Sequence, residues 1–389
     1  MGLFQRPVNK DQLTQDPPFL NLIREVEEIA SWGYSEIASH LPWGRMPIGF
    51  FCPYVPEELL QAGGAIPIRL IGLPVKISHA QAHLQAFCCH LVKSSLESYL
   101  RGELDFLQGI VFSQSCDSMK GLADIWALQG RLAFQFNLKV PTRLNSPLAR
   151  DFFKTELEGL KTALEKRLGK ISPESLQRAN RLFNGIREQL RNLYDIMRLD
   201  PGRLSGKVMA QVVRAGYLMD REQYLQMLTR FLELLPKQSE GKTAGVPLYL
   251  SGNLVHSADW FSLIEEAGAN IVHDDLCSGG RILRLDVQEG KDPLEALVDR
   301  YFTTYFCPTK HQGTLDHQEI LLKEVQESGA RGVVFLFYKY CEPYYFDYPD
   351  LKKYLETRGF PTLLLEIEDP SQSREQMKIR LQAFVEMLS

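Results

Sequence analysis

Short apolar runs alternate with stretches of helical spacing along most of the chain, and the alternation occurs in two blocks. In the first block, Ile48-Gly49-Phe50-Phe51 reads as a strand. The loop Cys52-Pro53-Tyr54-Val55-Pro56 follows, and Glu57 to Ala62 opens a helix with Pro56 at or near its first position and Gly63-Gly64 at its end. Ile66 to Leu70 is the next predicted strand, Leu91 to Leu100 a helix, Gly109 to Ser113 a strand, and a helix then runs through Trp126. Phe134-Gln135-Phe136 and Val140 form the last strand of this block. The second block starts at Val246-Pro247-Leu248-Tyr249-Leu250, with a helix over 258–267 ended by Gly268 and a strand over 270–273. An apolar segment, Tyr301 to Phe306, precedes a helix over 313–328, a strand over 332–337, a helix over 349–358, a strand over 361–365 and an amphipathic helix over 371–388.

Between the blocks the strand signals vanish. Leu157, Leu160, Leu164 and Leu168 step at helical intervals, Ser172 is placed to cap a helix with Pro173 in its first turn, and Asp200-Pro201-Gly202 breaks the pattern. Ahead of the first block, Ile23, Val26, Ile29 and Ala30 mark a helical lead-in. The predicted fold is α/β: two doubly wound, Rossmann- or flavodoxin-like parallel-sheet lobes with a helical insert between them. The expected divisions are a lead-in over 1–45, an N-terminal lobe over 46–145, an insert over 146–240 and a C-terminal lobe over 241–389.

Composition narrows the classes. With 389 residues, 44% hydrophobic and 24% charged, the chain is long enough for two or three cores and ordinary for a globular protein. A net charge of -4, with no basic block interleaved with aromatics, gives no reason to expect nucleic acid. Met1 to Pro18 is polar, with no apolar stretch of signal-peptide length, and no run approaches the roughly 18 apolar residues of a spanning helix. The expectation is a cytoplasmic protein without a membrane partner. In that reducing compartment seven cysteines, an odd count, are ligands, redox thiols or core residues rather than a disulfide framework.

The placement of those cysteines carries the chemistry. Cys116 follows the run Gly109-Ile110-Val111-Phe112, and Cys341 follows the similar run Gly332 to Phe337. Doubly wound sheets collect ligands beyond the carboxyl ends of their strands, so two cysteines delivered there point to a site in the cleft between the lobes. The first block carries Cys52, Cys89 and Cys116, and the second Cys277, Cys307 and Cys341. Soft thiolates point to a metal, foremost iron–sulfur. Cys89 and Cys116 also precede helix starts, whose N–H groups stabilise an anionic group. Cys88 reads as a buried small hydrophobe. Tyr338, Tyr340, Tyr344 and Tyr345 are expected to pack the cleft, and the acids of 151–195 form a solvated helical face. There is no Gly-x-x-x-x-Gly-Lys-Ser/Thr and no Gly-x-Gly-x-x-Gly, and Gly279-Gly280 is too short a signal to count as either.

Cys52-Pro53-Tyr54-Val55-Pro56-Glu57-Glu58-Leu59 with Ala62-Gly63-Gly64-Ala65 resembles the opening motif of the 2-hydroxyacyl-CoA dehydratase / benzoyl-CoA reductase family. So do Cys89-His90-Leu91-Val92-Lys93-Ser94-Ser95, Ser115-Cys116-Asp117, Tyr340-Cys341-Glu342-Pro343 and the closing Gly359-Phe360-Pro361 with Glu366-Ile367-Glu368. The resemblance spans nearly the whole chain, and its specificity lies in the order and spacing of the motifs. It implies one of two cofactors. In the CoA-dependent branch three cysteines, matching Cys89, Cys116 and Cys341, hold one [4Fe-4S] cluster with an open iron position. In the double-cubane branch six cysteines hold two bridged cubanes, [8Fe-9S], and a cysteine stands at or near each place: Cys52, Cys89, Cys116, Cys277, Cys307 and Cys341. That favours the double cubane, although the spacing around Phe306-Cys307-Pro308 is looser than in the family pattern. The resemblance further implies an ATP-hydrolysing [4Fe-4S] activator that donates low-potential electrons, a homodimer, and a small-molecule substrate. Glu58, in Pro-x-Glu-Leu, is implied as an acid or base, and His90 is a second candidate for proton relay. The expected function is an iron–sulfur reductase component. The alternatives are a dehydratase subunit using ketyl radical chemistry, normally with a related second subunit, and a non-catalytic electron-transfer or cluster-scaffold protein.

Overall fold

The computed structural model describes residues 17–237, 245–254, 257–304, 307–310, 317–368 and 374–389. Helices α1 (Pro18–Ser31) and α2 (Tyr34–His40) lead into strand β1 (Pro47–Phe50), α3 (Glu57–Ala62), β2 (Ile66–Arg69), α4 (His90–Leu100), β3 (Gly109–Ser113), α5 (Asp117–Gln129) and β4 (Gln135–Leu138). Four helices follow: α6 (Ala149–Leu168), α7 (Pro173–Leu199), α8 (Gly206–Leu218) and α9 (Arg221–Leu234). The second half runs β5 (Val246–Gly252), α10 (Asp259–Glu266), β6 (Ala269–Asp274), α11 (Pro293–Thr304), α12 (His317–Ser328), β7 (Gly332–Tyr338), α13 (Glu342–Glu356), β8 (Thr362–Ile367) and α14 (Arg374–Leu388).

Two four-stranded sheets result, ordered β2-β1-β3-β4 and β6-β5-β7-β8, with every pair parallel. The two orders are the same, so the echo between the sequence blocks is an echo of topology. Strands β1, β2, β3 and β7 are buried at every position, as parallel strands covered on both faces must be. In each sheet the order reverses beside the first strand, which opens a crevice between β1 and β3 and between β5 and β7.

The helical segment is stitched into both lobes. One core runs from α1, through Leu96 of α4 and Trp126 of α5 and the buried stripes of α7, α8 and α9, to Ile264 of α10 and Leu381 of α14. A second joins one face of the first sheet to Leu157 and Leu160 of α6 and to Leu297 and Val298 of α11. Thus α11, from the second half of the chain, packs against the first lobe. A third core lies between the second sheet, α12 and α13.

Ser172 caps α7 as the sequence indicates, its hydroxyl accepting the Ser175 N–H at 3.1 Å, with Pro173 in the first turn. The lead-in is two helices, parted at Trp32-Gly33. Other boundaries differ. Tyr301 to Thr304 belong to a helix that begins at Pro293, and Tyr305 and Phe306 lie outside the described residues. The helix expected from 349 begins at Glu342 and carries Pro349 inside it; Pro343, in the first turn, needs no N–H partner and opens rather than stops it. Val140 lies past the end of β4. Residues 313–316 and 371–373, the expected starts of two helices, lie outside the described residues.

Candidate functional site

Three cysteines occupy the same local position. Cys89, Cys116 and Cys341 are the residues that cap α4, α5 and α13. A thiol there faces the first free N–H groups of its helix. The Val92 and Leu91 N–H groups act to lower the Cys89 thiol, that of Met119 the Cys116 thiol, and the Asn253 side chain the Cys341 thiol. Burial nevertheless dominates. It pushes the Cys89 thiol up, Cys116 up to about 12 and Cys341 well above the ordinary range, and the neighbouring cysteines add to this.

The other three lie in loops close by. Cys52 turns the chain after β1, its carbonyl accepting the Val55 N–H at 3.0 Å. Cys277 follows β6, with its Sγ 2.9 Å from the Tyr344 hydroxyl and 3.2 Å from Nη1 of Arg281. Cys307 accepts the Thr309 hydroxyl at 3.2 Å, and burial together with Cys277 and Cys52 pushes its thiol up to about 11.

By local position the six fall into two triads, the helix-capping Cys89, Cys116 and Cys341 and the loop residues Cys52, Cys277 and Cys307. Cys89 acts on both Cys116 and Cys341, and Cys116 acts on Cys341. Cys307 is acted on by Cys277 and Cys52. The triads also touch: Cys52 and Cys307 reach Cys116, and Cys277 reaches Cys341. Residues separated by most of the chain therefore share one electrostatic neighbourhood at the carboxyl ends of both sheets. Cys88 is buried beside Cys89, its Sγ 3.6 Å from Gln85 Oε1.

Among the described residues, no three His, Cys, Asp or Glu side chains converge on the point a single ion would occupy. Cluster thiolates bind separate irons and need no such convergence. The donor set fits a cluster: soft sulfur, half-buried at each of the six positions, with burial opposing ionisation of Cys89, Cys116, Cys307 and Cys341. A metal that displaces the thiol protons would remove that penalty.

Three buried cations surround the second triad, and nothing local in the sequence announces them. Arg69, at the end of β2, donates to the Cys277 carbonyl at 2.9 Å and to the Phe51 carbonyl at 3.2 Å, with its guanidinium 4.5 Å over the Tyr217 ring. Arg281 bonds Cys277, Tyr344, the Gly252 carbonyl and Asp275, the last at 3.1 Å. Lys310 donates to the Val140 carbonyl at 3.2 Å and lies 5.5 Å over the Tyr54 ring, facing Cys307 and Cys52. Gly279-Gly280 turns tightly around Asp274, whose Oδ1 accepts the Gly280 N–H at 2.8 Å. A Cβ on Gly280 would stand 2.1 Å from the Asp274 carbonyl oxygen, so the pair serves a close backbone approach.

Glu58 is fully buried in α3. Its oxygens accept Arg187 Nη1 at 2.8 Å and the Tyr301 hydroxyl at 2.7 Å. Burial works against its charge, but Arg187, Arg300 and these hydrogen bonds outweigh it and hold the carboxyl below its usual value. A cavity of about 50 Å³ adjoins it, lined by Pro53, Arg69, Tyr217 and Tyr301 among others. His90 is buried at the first turn of α4, its ring 5.7 Å from that of Tyr338. It lines a larger groove of about 840 Å³ between the segment from Pro74 to Ala86 and Lys339, Tyr340 and Glu368. Tyr340 is the one non-glycine with positive φ among the described residues, at 67°, and its ring lies 5.2 Å from Lys93 Nζ and 5.5 Å from Lys339 Nζ. Of the other tyrosines, Tyr344 bonds Cys277, and Tyr345 donates to Glu366 at 2.6 Å.

Residues 52–388 match the family model for the 2-hydroxyglutaryl-CoA dehydratase D-component. The chain is 28% identical over 350 residues to the (R)-phenyllactyl-CoA dehydratase beta subunit of Clostridium sporogenes, covering 89% of this chain and 92% of that one. It is 26% identical over 377 residues to the beta subunit of (R)-2-hydroxyglutaryl-CoA dehydratase of Acidaminococcus fermentans, covering 94% and 99%. To a benzoyl-CoA reductase subunit of Thauera aromatica it is 25% identical over 317 residues, covering 79% and 81%. No helix among the described residues is long and apolar enough to cross a membrane.

Proposed function

The chain belongs to the 2-hydroxyglutaryl-CoA dehydratase D-component family, and we propose on that premise that it is an iron–sulfur reductase component holding a bridged double cubane on Cys52, Cys89, Cys116, Cys277, Cys307 and Cys341. The observation that carries this is the second triad. A single cubane needs the three helix-capping cysteines only, whereas Cys277 and Cys307 have side-chain donors on their sulfurs, and Arg69 and Lys310 interact with Cys52 as well. When bound, such a group supplies low-potential electrons, more than one of them if the cubanes are linked.

The protein's residues supply the rest. The helix starts at Cys89, Cys116 and Cys341 offer N–H groups to an anionic cluster. The groove beside His90 has room for a small substrate, and Lys93 and Lys339 are among its lining residues. His90 is the residue we assign to proton delivery there. Glu58 is ionised and engaged at both oxygens, so it accepts a proton only if Arg187 or Tyr301 releases it. With no phosphate-binding loop in the sequence, ATP hydrolysis belongs to a separate [4Fe-4S] activator, and the assembly is a homodimer with its own small-molecule substrate.

The test is re-oxidation. The anaerobically prepared, reduced protein is mixed with candidate small substrates, with and without an activator and ATP. Substrate-dependent re-oxidation over several turnovers supports a reductase. Its absence for every substrate, with the iron retained, supports an electron-transfer or scaffold role. A second reading rests on the relatives named as dehydratase beta subunits: a one-cubane subunit paired with a related chain. Co-purification of such a chain, with dehydration of a 2-hydroxyacyl-CoA, would favour it.

A further inference from the structure

The two triads stand in different electrostatic surroundings. Around Cys52, Cys277 and Cys307 are Arg69, Arg281 and Lys310, exposed by 2%, 2% and 8%. Two anions offset them: Asp275, at 3.1 Å from Arg281, and Glu57, which acts on Arg69. Two of the three sulfurs also face side-chain donors directly: Arg281 and Tyr344 at Cys277, and Thr309 at Cys307. Cys89, Cys116 and Cys341 stand instead at helix starts, where the polar groups acting on them are helix N–H groups and the Asn253 amide. The side-chain cation acting on Cys89 is Lys93, half-buried on the groove wall, with its ammonium on the Ala86 carbonyl. Lys310 reaches Cys116 more weakly than it reaches Cys307 and Cys52.

A helix start presents roughly half a charge, spread over several N–H groups. A buried guanidinium or ammonium presents a whole charge, and a hydrogen bond from it is roughly twice as strong as one from a neutral donor. Adding an electron to an iron–sulfur group adds negative charge, so nearby buried cations and S-directed donors raise its potential.

We propose that the two halves of the site are inequivalent, and that Arg281, Tyr344, Arg69 and Lys310 make the Cys52/Cys277/Cys307 half the one that takes the first electron. The Cys89/Cys116/Cys341 half, beside the groove, is then reduced second and at lower potential. In the first step one electron would pass from an external low-potential one-electron reductant, which is oxidised by one electron, to the Cys52/Cys277/Cys307 half; no bond forms or breaks and no proton moves. The inference rests on the six-cysteine reading of the proposed function.

The experiment is an anaerobic potentiometric titration followed by EPR on the iron-loaded protein, with iron and sulfide measured on each sample. Arg281→Gln removes the cation, and Tyr344→Phe removes only a hydroxyl. Lys93→Met perturbs the groove side. Arg281→Gln is expected to lower the equilibrium constant of the first reduction step at least tenfold, a negative shift of about 59 mV for one electron. Tyr344→Phe is expected to shift the same step less, in the same direction, and it carries the test if Arg281→Gln loses its iron. Lys93→Met is expected to move the second step and leave the first. An unmoved first step in iron-replete Arg281→Gln or Tyr344→Phe, or a first step moved by Lys93→Met, overturns the inference and leaves the six-cysteine reading standing. About four irons per chain in the unmodified protein would instead overturn that reading, and the inference with it.

Discussion

Breaking the buried pair of Glu58 and Arg187 tests how the first lobe is fastened to the helical segment. Glu58 is fully buried and Arg187 is 5% exposed, and their 2.8 Å contact joins α3 to α7 across 129 residues. Removing one member of a buried pair costs about 3–5 kcal/mol, because the other charge is stranded. Arg187→Met leaves Glu58 with the Tyr301 hydroxyl and the nearby Arg300, which places the loss at the low end, about 3 kcal/mol. Glu58→Gln leaves Arg187 with Asn184 at 2.6 Å and Asp286 at 3.3 Å and keeps a neutral acceptor, so about 2 kcal/mol is expected. The double variant should lose little more than Arg187→Met alone, a coupling of about 2 kcal/mol. The pair also predicts a pH dependence. The folded carboxyl lies below its usual 4.5, so its contribution is complete above 4.5 and fades as the pH falls through the lower folded value. Anaerobic urea titrations followed by tryptophan fluorescence at neutral and acid pH give both quantities. Additive losses within about 0.5 kcal/mol at neutral pH would refute the reasoning.

Serine at any one of the six cysteines should lower iron content, whereas Cys88→Ser should leave it unchanged; metal analysis of the seven variants decides. Gly280→Ala forces a Cβ against the Asp274 carbonyl and should cost about 1–3 kcal/mol, measured as a shift in the urea midpoint with an unchanged slope. Glu97 receives the N–H groups of Ser78, His79 and Ala80 at 2.9, 2.7 and 2.9 Å; burial opposes its charge, but these bonds and the His79 and Ser78 side chains hold it at about 2. Its grip on the groove-lining segment should therefore be complete above 4.5 and fade as the pH falls towards 2, and Glu97→Gln should speed amide exchange at 78–80 at neutral pH.

The strands and the cysteine loops were legible because buried parallel strands leave short apolar runs, and the loops after them carry recognisable motifs. That Cys116 and Cys341 follow the third strand of each sheet is a consequence of two runs readable by eye. The helix over 293–304 is not legible in the sequence, since its aromatic end, Tyr301-Phe302, looks apolar on every side. Its reason is tertiary: Ala296, Leu297, Val298 and Tyr301 of α11 pack into the core of the first lobe. Pro349 hid the true start of α13 in the same way. Least legible was the charge around the second triad. Arg69 meets the Cys277 carbonyl from 208 residues away, and a lone arginine in a strand carries no local sign of that partner. Lys310 and Arg281 matter only because the fold brings them to cysteines whose own motif was plain.

Iron and acid-labile sulfide per chain, on anaerobically purified protein, test the central claim most directly. The account predicts about eight irons with about nine sulfides, and loss of iron when Cys277 is replaced by serine. About four irons, unchanged by Cys277→Ser, would contradict it and leave Cys52, Cys277 and Cys307 as residues packed beside a single cubane.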